Sequence, residues 1–183
     1  MKATEVKRPE YLDMLISRKW NGMVKIVTGI RRCGKSYLLF KLFREHLISE
    51  GINDGHIICI ALDDMKNERL RDRRALYDEI VKRTSGGGDF YVLLDEIQFV
   101  DGFTDVLNSL LHLDNVDAYV TGSNSRMLSS DIATEFRGRG DVVKIHPLSF
   151  SEFSSVKGAA ALPAAAGGSS EEIHRGPSAL SCA

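Results

Sequence analysis

The chain has 183 residues, with 24 Lys+Arg against 25 Asp+Glu and 43% hydrophobic residues. This is the composition of one ordinary globular domain, and its near-zero net charge gives no electrostatic footprint for nucleic acid. Three cysteines without metal-ligand spacing argue for a reduced, cytoplasmic setting, and no apolar run reaches the ~20 residues of a membrane span.

Met1–Pro9 is charged and lacks the apolar core of a secretory leader. Glu10–Trp20 then carries Tyr11, Leu12, Leu15 and Ile16 at helical spacing, behind a proline suited to a first turn. The pattern predicts an entry helix packed on the core. The sharper alternative sets it beside an adenine. Residues 1–20 are therefore expected to form an N-terminal segment, 21–155 the core, and 156–183 a low-complexity, disordered tail. That tail is dominated by Ala, Gly, Ser and Pro, and its abrupt onset has the look of a frameshifted or artificial end.

Val24–Ser36 reads V-K-I-V-T-G-I-R-R-C-G-K-S. Gly29, Ile30, Arg31, Arg32, Cys33, Gly34, Lys35 and Ser36 fit G-x-x-x-x-G-K-[ST], the phosphate-binding loop. A β-type run precedes the loop. An apolar-periodic helix, opening at Tyr37 and running to about Glu50, follows it. Glycines permit a tight loop whose N–H groups face phosphate oxygens. Lys35 supplies a point charge to the β- and γ-phosphates, and Ser36 a hydroxyl for Mg²⁺. The bland alternative is a strand–turn–helix with a solvated lysine. Arg31 and Arg32 suit acids or partner surfaces better than phosphate.

His56–Leu62 is a continuous apolar run of strand length, read as buried on both faces. Lys66–Arg74 mixes both charge signs. Its arginines 69, 71, 73 and 74 could meet a phosphate backbone, although the interleaved acids favour a solvated face. Leu70, Leu76, Ile80 and Val81 form the stripe of the next helix. Phe90–Leu94 is the third strand and ends in Asp95-Glu96. There Asp95 would hold Mg²⁺ with Ser36, and Glu96 would polarise an attacking water. Asp101 reads as the cap of a helix over Gly102–His112. Asp117–Thr121 is a fourth strand that ends at Ser123-Asn124, where a polar side chain can meet a γ-phosphate or its water. A turn cap is the equal alternative. A short helix over Asp131–Phe136 leads to Arg137 and Arg139. Each of these suits either a neighbouring subunit's nucleotide or a surface salt bridge. Val142–Ile145 is the fifth strand, and Leu148–Phe153 begins another helix.

Strands alternating with helices predict an α/β fold with a parallel sheet and ligands at the C-terminal strand ends. The strand between the phosphate loop and Asp95-Glu96 points to the P-loop branch with a catalytic glutamate. With no N-K-x-D segment, adenine is expected over guanine.

Six segments in order carry a resemblance: Arg8–Leu12, the phosphate loop, L-L-D-E-I-Q (Leu93–Gln98), T-G-S-N-S (Thr121–Ser125), F-R-G-R (Phe136–Arg139) and P-L-S-F-S-E-F (Pro147–Phe153). Together they resemble prokaryotic AAA-type ATPases of the AAA+/STAND group, over about residues 5–153. The resemblance implies a three-layer α/β/α P-loop NTPase with a five-stranded parallel sheet of order 5-1-4-3-2. It implies Asn124 or Ser123 as sensor and Arg137 or Arg139 as an arginine finger, hence a homo-oligomer. ATP and Mg²⁺ are the expected ligands and ATP hydrolysis the expected activity. An ATP-gated interaction module and a nucleic-acid-dependent motor stay open. Family members often continue into a helical lid, a winged-helix region and a nuclease-like domain. This sequence departs from the pattern after Phe153, so the resemblance bears more directly on nucleotide binding than on turnover.

Overall fold

The computed structural model describes residues 7–123, 136 and 138–148. Five strands form one parallel sheet: β1 (Val24–Gly29), β2 (Ile57–Ala61), β3 (Phe90–Asp95), β4 (Val116–Ser123) and β5 (Gly140–Lys144). Their order is β2-β3-β4-β1-β5, which is the predicted 5-1-4-3-2 read from the other edge. β1 and β3 are buried along their whole length, as apolar runs covered on both faces must be.

Alternate residues of each strand feed two separate cores. Ile26, Ile60, Val92 and Val120 face Leu76, Ile80, Val106 and Leu107 on one side of the sheet. Those partners come from α3 (Arg73–Thr84) and α4 (Phe103–Leu110). Val27, Leu93, Tyr119 and Val143 face Leu15, Leu38, Leu39 and Phe43 on the other. These belong to α1 (Pro9–Ile16) and to the rod that follows the loop, called α2. The rod is α-helical over Lys35–Tyr37, widens to π geometry over Leu38–Phe43, and returns to α over Arg44–Ser49. The molecule is thus a three-layer α/β/α sandwich.

Several local expectations need correction. Val81 is half-exposed, because it lies about 100° around α3 from Ile80. Gly102, not Asp101, occupies the N-cap of α4, so no side-chain cap bond is made from that position. The charged stretch after β2 is a 3₁₀ segment, Met65–Arg71, capped by Asp64. Its arginines turn to their own chain. Arg69 pairs with Glu79 at 3.1 Å, and Arg71 donates from Nε to the Leu62 carbonyl at 2.8 Å. Arg73, at the start of α3, pairs with Asp105 at 2.6 Å. Arg69 and Arg73 lie on a solvated face, whereas Arg71 is half-buried against its own backbone. The helices expected over 131–136 and 148–153 lie outside the described residues, apart from Phe136 and Leu148, as does the 156–183 segment.

Candidate phosphate and water site

The site forms where β1 and β3 end. Gly29 closes β1, and the loop folds back so tightly that a Cβ on Gly29 would stand 2.6 Å from the Ile145 carbonyl oxygen and 2.7 Å from Cys33 Sγ. Only glycine fits there. Arg32 (φ 63°) and Gly34 (φ 92°) are both left-handed. Such residues build a nest, in which successive N–H groups turn to one side and attract anions. The N-terminal end of α2 adds its dipole.

Lys35 is buried, at 4% exposure, and its ammonium donates to the Gly29 and Ile30 carbonyls, each at 3.1 Å. Both acceptors are neutral. A phosphate oxygen is a stronger acceptor for the same charge, so the lysine sits where an anion can take it over. Ser36 and Tyr37 are on the exposed side of the loop, and Ile30, Arg31 and Arg32 also face solvent.

Asp95 ends β3 and is 4% exposed. It accepts a hydrogen bond from the Thr121 hydroxyl, and the Ser36 hydroxyl lies near enough to favour its charged form. The phosphate-loop serine and the carboxylate at the end of β3 therefore meet. Burial pushes the Asp95 carboxyl above its ordinary 3.8. The two hydroxyls pull it back, and the Glu96 and Asp63 charges add to the rise. Glu96 follows in a left-handed conformation (φ 54°, ψ 50°) that is strained for a non-glycine residue. Its N–H donates to Thr121 Oγ1 at 3.0 Å, and its carboxylate accepts from the Gln98 side-chain amide.

Ser123, at the end of β4, pairs in register with Gly29 and so stands beside the loop. Arg139 lies at the opposite end of the sheet. Its carbonyl accepts from the N–H of Val24, the first residue of β1, at 3.0 Å. Its exposed guanidinium donates to Asn108 Oδ1 at 3.0 Å. Asn124 and Arg137 lie outside the described residues.

Three residues at the site escaped the sequence reading. Thr121 links the end of β3 to β4, and its hydroxyl inside an apolar run was the available signal. Gln98 was seen only as part of a motif. Arg8 is 3% exposed and donates to the Cys33 carbonyl at 2.8 Å and the His146 carbonyl at 2.7 Å, with its guanidinium 4.5 Å over the Tyr11 ring. It clamps the segment before α1 onto the phosphate loop and the exit of β5. The signal there was the Arg8–Tyr11 spacing, which places the two one helical turn apart.

Fold and site together define a P-loop α/β protein whose phosphate-loop strand is separated from the Asp-Glu strand by one intervening strand. A family model described as an AAA domain matches residues 21–154. The chain belongs to this AAA-domain family, and its core is that of a P-loop AAA-type ATPase. Among curated proteins it is 36% identical over 158 residues to an uncharacterized protein of Haemophilus influenzae, covering 86% of this chain and 39% of that protein. An uncharacterized protein of Methanocaldococcus jannaschii is 36% identical over 138 residues, covering 73% and 29%. The chain thus spans well under half the length of these relatives. Among solved structures, a DNA polymerase III gamma subunit-related protein of Thermotoga maritima aligns with TM-score 0.57 at 11% identity, covering 81% of this chain and 48% of that one. PCH-2 of C. elegans aligns with TM-score 0.52 at 21% identity, covering 74% and 38%. At these identities the structures show a shared fold. Among the described residues, no helix is long and apolar enough to cross a membrane.

Proposed function

We propose that this core binds ATP with Mg²⁺ and hydrolyses it by in-line attack of water on the γ-phosphorus. One observation carries the reading. The loop lysine, the Ser36 hydroxyl beside Asp95 and a strained Glu96 come together at the C-terminal ends of β1 and β3, two strands of one parallel sheet separated by β4. The loop from Gly29 to Tyr37 would hold the phosphates. Lys35 would exchange two carbonyls for β- and γ-oxygens. Glu96 would take the proton of the attacking water. Ser123 and Asn124 would contact the γ-phosphate or that water, and Arg137 or Arg139 would reach a neighbouring copy's nucleotide.

The donor set fits Mg²⁺. Ser36 and Asp95 offer two hard oxygens that already lie near each other. Among the described residues no group of three or more His, Cys, Asp or Glu is placed to hold a metal alone. That matches an ion shared with substrate phosphates rather than caged by protein. When bound, the ion supplies charge neutralisation on the β- and γ-oxygens.

The test is paired. Lys35→Ala is expected to weaken ATP binding roughly 10- to 100-fold, the worth of hydrogen bonds to a charged group. Glu96→Gln is expected to keep affinity and slow single turnover about 100-fold or more. Unchanged affinity in the lysine variant would overturn the phosphate-loop assignment. Tight ATP binding with equal, negligible turnover in wild type and Glu96→Gln would replace the enzyme by an ATP-gated switch. For a nucleic-acid motor, the test is stimulation of ATP turnover by DNA or RNA across salt, where no stimulation would rule it out.

A further inference from the structure

Gln98 lies two residues beyond Glu96, in the short 3₁₀ turn Ile97–Phe99. Its amide nitrogen donates to Glu96 Oε2. This fixes which end of the amide points where, because the reverse orientation would set an amide oxygen against a carboxylate oxygen. The amide oxygen, Gln98 Oε1, is then buried and has no hydrogen-bond partner among the described residues. A buried acceptor without a donor is unfavourable, and such groups call for an explanation. Glu96 shows the same economy. Its backbone is strained, its N–H is tied to Thr121, and one carboxylate oxygen is tied to Gln98. Backbone and side chain are both held, which aims the carboxylate rather than merely satisfying it.

Resting on the ATPase reading above, we propose that Gln98 is a further catalytic residue, which with Glu96 holds the attacking water at two points. Gln98 Nε2 orients the carboxylate. Gln98 Oε1 accepts a hydrogen bond from one proton of the water, and the free oxygen of Glu96 accepts the other. In the step, the water oxygen forms a bond to the γ-phosphorus. The bond from that phosphorus to the bridging oxygen breaks, and its electron pair leaves on ADP. The proton on the Glu96 side passes to the carboxylate and then to solvent. The proton on the Gln98 side stays on the phosphate product. A two-point hold removes the rotational freedom that a single acceptor would leave to the water. It also gives the orphaned oxygen a donor only when the reaction is set up.

The test compares Gln98→Met, which keeps length and volume, with wild type, Glu96→Gln and the double variant. The expected result for Gln98→Met is ATP affinity within about threefold of wild type and a single-turnover rate lower by roughly 100-fold, as for loss of one preorganised polar contact. Its melting temperature is expected to be no lower than that of wild type, since an unpaired buried oxygen has gone. Adding Gln98→Met to Glu96→Gln should cost little more, because the two act on one water. Gln98→Glu keeps an oxygen but loses the donor, and it should be at least as slow. A wild-type rate in Gln98→Met would overturn the inference. So would a lower melting temperature with a matching loss of ATP affinity, which would mark a structural role, and so would full additivity with Glu96→Gln. If Glu96→Gln itself turns over normally, the ATPase reading fails first. If Glu96→Gln is slow while Gln98→Met is not, only the role of Gln98 fails.

Discussion

At the scale of single residues, Asp95 joins stability to chemistry. Its folded-state pKa is raised, chiefly by burial. A raised carboxylate contributes stability that is fully present below its unfolded value, about 3.8, and lost as pH rises through the folded value. At neutral pH the buried carboxyl group is therefore a net cost. Asparagine would still accept from Thr121 without the charge. Asp95→Asn is thus expected to melt above wild type in metal-free buffer near neutral pH, with the gap closing toward about pH 4. Adding Mg²⁺ with ATP should stabilise wild type more than the variant, which keeps the phosphate loop but loses the carboxylate for the metal. Thermal melts across pH measure both, and coincident curves at neutral pH would contradict the cost. Asp95 was legible in the sequence because an apolar run ending in Asp-Glu follows a phosphate-loop pattern. Thr121 was not, because threonine is also an ordinary strand former. Gln98 was not, because its role depends on a left-handed turn at Glu96 that no spacing rule announces.

At the scale of elements, the five strands were readable from short apolar, β-branched runs between turn signals, whereas their order came from the family resemblance. The π segment of α2 was not readable, because Leu38–Phe43 has the same apolar spacing in either helical form. Nor was the polar group inside the core. Lys25, near the start of β1, is fully buried and pairs with Asp117, near the start of β4. Asp117 also accepts from the Tyr119 hydroxyl and the Trp20 N–H, each at 3.0 Å. Among the described residues the lysine has one anionic partner, whereas the aspartate has three donors. Asp117→Ala should therefore cost about 3–5 kcal/mol, the usual loss when one member of a buried pair is stranded. Lys25→Met should cost less, and Lys25→Met with Asp117→Leu should recover part of the loss. Urea denaturation would rank the three. The pair lies at the end of the strands away from the phosphate loop, so Lys25→Met should leave ATP affinity unchanged. A larger loss for Lys25→Met than for Asp117→Ala would show the donor count to be the wrong guide.

At the scale of the whole molecule, the position of Arg139 bears on assembly. It is joined to the first residue of β1, while the phosphate loop begins at the last. Five strand steps separate the two ends by roughly 17 Å, more than an arginine side chain can span. Arg139 cannot serve its own site, so a role in catalysis requires a second copy. Its present bond to Asn108 is solvent-exposed and worth only about 1 kcal/mol, and an interface could readily exchange it. If Arg139 is the finger, Arg139→Ala should retain ATP affinity and lose about 10³-fold in rate. The specific activity of wild type should rise with protein concentration, because dilution separates site from finger. Mixing Arg139→Ala with Glu96→Gln should restore activity above either alone. In such a mixture the first variant supplies an intact Glu96 and the second an intact Arg139, and the two meet only across an interface. A surface role predicts the opposite on every count: a wild-type rate for Arg139→Ala, activity independent of concentration, and no complementation. Loss of rate without complementation would place the arginine's effect inside its own chain, which the length of β1 does not allow for direct contact with phosphate.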